Sequence, residues 1–402
     1  MKFIKKWFKR NSEALKFVSL AFVIWQVALI LIIFLGNKYF PATNEFLYFG
    51  RSKEQISLYN EKEAVMSPSW LWSRANFDGM DYLDIARCGY SVNQQSFFPL
   101  YPKLIAFFRP LFGGKNLITA WSINLASLYL ALFFFYKLVA LNFSERVSRR
   151  SLFFLLLFPT SFFFSMIYTE ALFFLLIIGS FYFAKTKRWW LAGIFGGLAA
   201  ATRLPGIFLL PALAFEWWEQ FQNQKNKSKK KDLLKSLFFL LLVPLGLLFY
   251  MRFLSVIYQD SLMFAHVQTF FGAGRSTDKI ILLYQVFWRY FKMLVMVDKQ
   301  TLIYLTVVME FLAASSFLVF IVFTFLKRWY SYLIFMVLAY IAPSLTGTFL
   351  SLPRFALVLF PAFILLALWS EKYRWLRILY GILMIPLLIF LLLLFTRGFW
   401  AA

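Results

Sequence analysis

Long apolar runs, separated by short polar or basic stretches, make up most of the chain. Several runs reach or approach the roughly 20 residues that a transmembrane helix needs. The pattern predicts an all-α, polytopic membrane protein with about eleven transmembrane helices, whose ends are fixed only to within a few residues. The predicted spans are 17–36, 117–143, 151–168, 170–184, 189–203, 204–220, 237–258, 302–326, 329–343, 355–370 and 375–396.

The composition agrees with a membrane protein and excludes an ordinary soluble domain. Hydrophobic residues make up 61% of the chain and charged residues 15%. The 54 Phe and 14 Trp residues fit lipid-facing surfaces and interfacial belts. The single Cys excludes an intramolecular disulfide. One Cys and one His in the whole sequence are too few ligands for a typical zinc site.

The formal net charge of +24 could indicate a nucleic-acid partner, but the basic residues form clusters between the apolar runs. Such clusters are typical of cytoplasmic loops, so we predict no nucleic-acid partner and a cytoplasmic N-terminus before a retained signal anchor. The basic segment 221–236 is predicted to be a flexible cytoplasmic loop, with binding to membrane lipid head groups as a secondary possibility. The inner segments that result carry more net positive charge than the outer ones, as this orientation requires. A Lys-rich and Phe-rich chain without a retention signal favours a bacterial inner membrane.

We predict a single membrane domain over 1–402, with two large extracytoplasmic loops at 37–96 and 259–301. Two semi-apolar stretches, Phe97–Phe112 and Ile280–Val297, are expected to be interfacial or re-entrant helices rather than full spans.

The first large loop contains three carboxylates within seven residues, Asp78, Asp81 and Asp84, in a chain with only 18 acidic residues. They could be ordinary loop acids or charges at a helix N-terminus. Asp78 and Asp81 are three positions apart, so on a helix they would share one face. That face could carry a proton acceptor and an orienting group, and we predict Asp78 and Asp81 as catalytic residues.

Further polar residues are predicted to gather at the same membrane face, where charges are costly unless they are paired or hydrated. These residues are Glu170, Arg203, Arg354, His266 and Gln268. Glu170 and Arg203 could instead form a structural ion pair, and His266 could be a solvated loop histidine. Glu310 lies inside a predicted span and is interpreted as a packed polar contact or a residue of a water cavity.

This set of residue types favours chemistry on a phosphate carried by a lipid. Guanidinium groups match phosphate oxygens, and a carboxylate can take the proton from an attacking hydroxyl. Together they indicate transfer of a sugar from a lipid-phosphate donor, because phosphate is a good leaving group whose charge arginines can stabilise.

Several motifs resemble the GPI mannosyltransferase II (PIG-V) family and its bacterial relatives. Phe77-Asp78, followed by Tyr82-Leu83 and Gly89-Tyr90, looks like the first luminal loop of that family, and Phe97-Phe98-Pro99 with Pro102 continues the likeness. The weaker motifs occur in the family's order: Tyr168-Thr169-Glu170, Thr202-Arg203 with Gly206, Gln268, and Pro353-Arg354-Phe355 with Pro361.

The resemblance implies a GT-C glycosyltransferase, a multi-span helical enzyme whose catalytic aspartate lies in the first large extracytoplasmic loop. It implies an inverting transfer from a polyprenyl-phosphate sugar, typically mannose, with Asp78 as the base and Arg203 and Arg354 at the donor phosphate. The acceptor, whether lipid, glycan or protein, is left open. We assign substrate-binding or orienting roles to Tyr101, Tyr168, Glu170, His266 and Gln268.

Other functions remain open from the sequence. A lipid-linked saccharide ligase or polymerase would use similar groups, and a lipid or sugar transporter or flippase would also need charges within the membrane, although related halves are not evident. A membrane scaffold would not need the acidic loop and arginines. We predict no cofactor; two nearby carboxylates could hold a divalent cation, but a metal-independent reaction is preferred.

Overall fold

The structure is a computed structural model that describes residues 2–41, 68–271, 274–276 and 279–400. No β-strand occurs among these residues, so the predicted all-α class is confirmed. The α-helices are α1 (Lys2–Tyr39), α2 (Ser69–Trp72), α3 (Asp78–Cys88), α4 (Leu100–Phe108), α5 (Asn116–Val139), α6 (Glu145–Leu156), α7 (Glu170–Lys185), α8 (Trp189–Thr202), α9 (Leu209–Asn223), α10 (Lys227–Ser236), α11 (Leu242–Tyr258), α12 (Met263–His266), α13 (Leu283–Met296), α14 (Leu302–Leu326), α15 (Tyr330–Ser344), α16 (Leu352–Phe355), α17 (Pro361–Lys372) and α18 (Trp375–Thr396).

Helix α7 lies in the core of the protein. Nearly all of its side chains are buried, and it packs against both α5, which precedes it in the chain, and α8, which follows it. A helix that is apolar on every face and buried on every face must be surrounded by other elements. Helix α8 in turn lies close to α11, since a Cβ atom added at Gly246 would come within 1.9 Å of the Gly197 carbonyl oxygen.

The protein is an integral membrane protein. In the described part of the chain, five helical segments are long and apolar enough to cross a bilayer: Asn11–Tyr39, Asn116–Val139, Lys227–Tyr258, Leu302–Leu326 and Trp375–Thr396. The outer surface of α1 exposes apolar side chains, among them Leu20, Ile24, Leu31 and Phe34, as expected for contact with lipid. A sixth crossing would result if α16 and its following turn formed one span with α17, although the two parts meet at 77°.

The other predicted spans correspond to shorter helices, so the number eleven remains a prediction. Helices α7, α8, α9 and α15 contain 14 to 16 residues each, fewer than a perpendicular crossing of the hydrocarbon core needs. The single helix predicted over 151–168 is wrong: α6 ends at Leu156. Pro159 has no amide hydrogen to donate to a helical hydrogen bond, and Ser161 Oγ donates to the Leu156 carbonyl oxygen at 2.6 Å.

Two other boundaries differ from the predicted ones because of proline and capping residues. Pro205 and Gly206 shorten the predicted span 204–220, so α9 starts only at Leu209. The segment 221–236, predicted to be a flexible loop, contains helix α10. Its first turn is capped by Asn226, whose side chain accepts hydrogen bonds from the backbone of Ser228 and Lys229.

The two stretches predicted to be interfacial or re-entrant are short helices. Helix α4 has 9 residues, about 14 Å of length, and so is too short to cross the membrane. Helix α13 has 14 residues and exposes Tyr284, Trp288, Phe291 and Val295 along one face, while Tyr290 is buried. An apolar face of this kind suits a helix that lies in the membrane interface. Residues 42–67 of the predicted first loop lie outside the described residues.

Candidate active site

The protein has a mostly apolar cavity of about 380 Å³ between α8 and α11. A larger cavity, of about 940 Å³, is lined by charged and polar side chains as well as apolar ones. It is bordered by the first turns of α3 and α7, the end of α8, the start of α16 and the segment that follows α11. Eight of the predicted site residues line it: Asp78, Asp81, Tyr168, Glu170, Arg203, His266, Gln268 and Arg354. The predicted residues therefore converge on one space, although they come from distant parts of the chain.

An unusual backbone turn places Asp78 at the start of α3. Phe77, just before it, has φ of 56°, a conformation that is costly for a residue with a bulky side chain. The turn is fixed from both sides: Asn76 Nδ2 donates to the Phe395 carbonyl oxygen at 2.8 Å, and the Tyr168 hydroxyl donates to the Asn76 carbonyl oxygen at 2.8 Å. Tyr168 thus helps to position the Asp78 turn.

Glycine at position 79 lets α3 approach the segment before α7. A Cβ atom added there would lie 3.1 Å from the Ile167 carbonyl oxygen, closer than most real contacts. The Ile167 amide donates to the Arg74 carbonyl oxygen at 2.9 Å, so the two segments are joined by their backbones. The close approach brings the first turn of α3 beside the first turn of α7.

Four charged side chains form a continuous ion network in the cavity wall. Arg354 Nη1 lies 2.9 Å from Asp78 Oδ2, and Arg354 Nε lies 3.5 Å from Glu170 Oε1. Arg203 Nη1 donates to the same Glu170 oxygen at 2.7 Å. The Glu170–Arg203 pair considered from the sequence therefore exists, but Arg354 joins it to Asp78. Glu170 is only 1% exposed, so its charge depends on these two guanidinium groups.

Helix dipoles and aromatic rings stabilise the charges of this ion network. Glu170 is the first residue of α7 and Arg203 directly follows α8, so each charge complements the dipole of its helix. The Arg203 guanidinium carbon lies 4.8 Å from the centre of the Phe355 ring, and that of Arg354 lies 5.2 Å from the centre of the Tyr168 ring. Cation–π contacts of this kind stabilise guanidinium groups that have lost water.

A second buried network holds the segment that leads to Arg354. Ser351, with φ of 62°, donates its backbone amide to Glu310 Oε1 at 3.0 Å. The Tyr290 hydroxyl donates to the other Glu310 oxygen and accepts the Phe349 amide at 3.1 Å. Of the two interpretations of Glu310, the packed polar contact is the one that the structure shows.

We expect Glu310→Ala to lower the free energy of unfolding by about 1–3 kcal/mol, because the buried Ser351 amide and Tyr290 hydroxyl lose their acceptor. Glu310→Gln, which keeps one carbonyl oxygen, should lose less. Unfolding of the purified variants in mixtures of sodium dodecyl sulfate and a mild detergent measures the difference. Equal stability of Glu310→Ala and the wild type would contradict the anchoring role.

The remaining predicted residues have different surroundings. Asp81 Oδ1 accepts a hydrogen bond from Gln94 at 2.9 Å. His266 Nδ1 lies 2.7 Å from Asp260 Oδ2, and this hydrogen bond lowers the pKa of the Asp260 carboxyl group. Tyr101 does not line the cavity: it is fully buried, and its hydroxyl donates to the Ala120 carbonyl oxygen at 3.2 Å.

Three titratable residues of the cavity wall were not predicted as site residues: Tyr82, Arg275 and Lys279. Tyr82 lies one turn after Asp78, and its ring packs edge-on against that of Tyr101, at 5.2 Å between the centres. The two basic residues lie in the second predicted loop. Their charge is visible in the sequence, but nothing there distinguishes them from the other basic residues of that loop.

Among the described residues, no group of three or more His, Cys, Asp or Glu side chains is arranged to hold a metal ion. Asp78 and Asp81 both face the cavity, but each has a partner within hydrogen-bond distance, Arg354 for Asp78 and Gln94 for Asp81. A metal-independent reaction remains a prediction.

The fold and the cavity define an integral membrane protein of α-helices with a charged cavity formed at helix ends. Comparison of the chain with protein-family models, with curated proteins and with solved structures gives no match.

Proposed function

We propose that the protein is a membrane glycosyltransferase that moves a sugar from a polyprenyl-phosphate donor to an acceptor hydroxyl. The observation that carries the proposal is the cavity itself, which brings Asp78, Arg354 and Arg203 together within about 940 Å³. Three carboxylates and several cations in one space, within a chain so poor in acids, favour polar chemistry over a purely structural role.

In the proposed reaction, the acceptor hydroxyl attacks the anomeric carbon of the sugar from the face opposite the phosphate. A new carbon–oxygen bond forms as the bond from the anomeric carbon to the phosphate oxygen breaks, so the configuration is inverted. The Asp78 carboxylate takes the hydroxyl proton, and the polyprenyl phosphate leaves with the bonding electrons. Positively charged groups in the cavity stabilise the charge that develops on the leaving phosphate.

Glu170 is proposed to hold the two arginines in place rather than to transfer a proton. Its oxygen Oε1 contacts both Arg203 and Arg354, and its side chain is buried beneath them. Asp78 is better placed to meet a substrate, because its side chain is 24% exposed whereas that of Glu170 is 2% exposed. This difference supports Asp78 as the base.

Four finer parts of the proposal rest on the sequence alone: its apolar runs, its composition and its motifs. We propose a GT-C arrangement of about eleven spans, mannose as the sugar, and a bacterial inner membrane with the site on the extracytoplasmic side. The test is to incubate purified protein with a polyprenyl-phosphate sugar labelled in the sugar, together with a broad pool of acceptors. Appearance of the labelled sugar in an acceptor product supports transfer, whereas movement of intact donor between leaflets would support a transporter instead.

The side of the membrane can be tested with Cys88, the single cysteine, which is exposed at the end of α3. We expect a membrane-impermeant maleimide to label Cys88 in intact spheroplasts, because α3 carries Asp78 and should lie outside. In a Cys88→Ser background, Ser228→Cys on the exposed basic helix α10 should react only after permeabilisation. The reverse pattern would contradict an extracytoplasmic site.

A further inference from the structure

The cations of the cavity differ in what they are already bound to. Arg203 and Arg354, predicted to hold the donor phosphate, are both engaged by carboxylates, Glu170 and Asp78. Two other cations, Arg275 and Lys279, also line the cavity. A cation whose charge is already matched by a carboxylate gains less from a phosphate than one that lacks a counter-charge.

Arg275 is held by a neutral partner. Its Nη1 donates to Gln268 Oε1 at 2.7 Å, and no carboxylate of the described residues lies within 4.0 Å of its guanidinium group. The next residue, Ser276, donates its amide to the Thr346 carbonyl oxygen at 2.9 Å, which fixes the Arg275 backbone against the segment that leads to Arg354. Within the described part of the chain, the Arg275 guanidinium is therefore positioned by a hydrogen bond but not neutralised by a carboxylate.

The electrostatic surroundings agree with this description. Burial, the largest effect, lowers the pKa of Arg275, and the nearby Arg354 acts in the same direction, whereas the carboxylates of Asp78 and Glu310 raise it. An arginine keeps its proton in proteins, so the unfavourable surroundings indicate a charge that an anion would stabilise. Arg275 lines the same cavity as Asp78 and Arg354, so it lies near the proposed reacting groups.

We infer that Arg275 is the main phosphate-binding cation of the cavity, and that the group it binds is the phosphate of a polyprenyl-phosphate lipid. Lys279, more exposed than Arg275, adds a second positive charge beside it. Arg203 and Arg354 then serve mainly to hold Glu170 and Asp78. This assignment rests on the proposed function for the identity of the lipid, but it divides the roles of the arginines differently.

The test measures the affinity of full-length protein in detergent for three probes: undecaprenyl phosphate, undecaprenol and inorganic phosphate. The variants are Arg275→Gln, Arg275→Lys and Lys279→Gln. Arg87→Gln is the matched control, since Arg87 is an exposed arginine on α3 that does not line the cavity. The melting temperature of each variant is measured in parallel, so that loss of binding is not confused with loss of folding.

We expect Arg275→Gln to weaken binding of undecaprenyl phosphate by about 10- to 100-fold, the usual effect of losing a charge-assisted hydrogen bond. Arg275→Lys should recover part of the affinity, Lys279→Gln should have a smaller effect, and Arg87→Gln none. Undecaprenol should bind wild type and Arg275→Gln equally, and inorganic phosphate should bind wild type much more weakly than the lipid phosphate.

An affinity of folded Arg275→Gln for undecaprenyl phosphate within twofold of wild type would overturn the inference, even where wild type transfers sugar. Equal binding of inorganic and lipid phosphate would overturn the assignment to a lipid. Failure of wild type both to bind undecaprenyl phosphate and to turn over any polyprenyl-phosphate sugar would overturn the inference together with the proposed function.

Discussion

Replacement of Asp78 by Asn is expected to lower the rate of sugar transfer by about 10²- to 10⁴-fold, the usual contribution of a positioned general base. Asn has nearly the same shape as Asp, and its side-chain carbonyl can still accept a hydrogen bond from Arg354. It cannot take a proton from the acceptor hydroxyl. The loss should therefore fall on the rate of transfer and much less on the affinity for the donor.

Asp84→Asn is the matched control for this prediction, because Asp84 lies on the same helix but does not line the cavity. Initial rates are measured with saturating labelled donor, and both variants are checked for folding by their melting temperatures. Transfer by Asp78→Asn within a few-fold of the wild-type rate would show that Asp78 is not the base. A similar loss in both variants would indicate a general effect of helix α3.

The second large effect is expected for Arg354→Gln, which should lower the free energy of unfolding by about 3–5 kcal/mol. Arg354 contacts both Asp78 and Glu170, and its side chain is only 8% exposed. Without Arg354, the buried Glu170 carboxylate loses one of its two cations, and the partly exposed Asp78 carboxylate loses its ion-pair partner. Arg354→Lys keeps the charge but not the fork of donors, so it should recover only part of the loss.

A buried ion pair outside the cavity gives the control for Arg354. Lys185 pairs with Glu216, which also accepts a hydrogen bond from Ser331, and none of the three lines the cavity. Glu216→Gln should destabilise the protein without changing the rate of transfer per folded molecule. Arg354→Gln should lower both. If Arg354→Gln only reduced stability, the network would be structural, as one interpretation of the sequence allowed.

The sequence predicted helix boundaries best in two of the long apolar runs. Helices α14 and α18 begin and end where the apolar runs 302–326 and 375–396 do. The run 151–168 misled because its hydrophobicity continues past Leu156, where α6 ends shortly before Pro159. A proline does not by itself end a helix in this protein, since α18 continues through Pro386. Hydrophobicity indicates which residues avoid water, but it does not decide where helices end.

In the candidate site, too, local spacing could be predicted from the sequence, whereas contacts between distant residues could not. The spacing of Asp78 and Asp81 predicted that they share a face, and both line the cavity. The ion pair between Asp78 and Arg354 joins residues 276 positions apart, which no local pattern contains. Arg275 was missed for a related reason, since a lone basic residue in a predicted loop gains its meaning only from the cavity that it faces.

The most direct test of the proposed function follows both parts of the donor at once. A polyprenyl-phosphate mannose is prepared with ³H in the sugar and ³²P in the phosphate, and is incubated with purified protein and acceptors in liposomes. We expect ³H to pass to the acceptor while ³²P stays with the polyprenyl chain. Donor that keeps both labels together in the presence of folded protein, whether stationary or moved across the bilayer, would contradict glycosyl transfer.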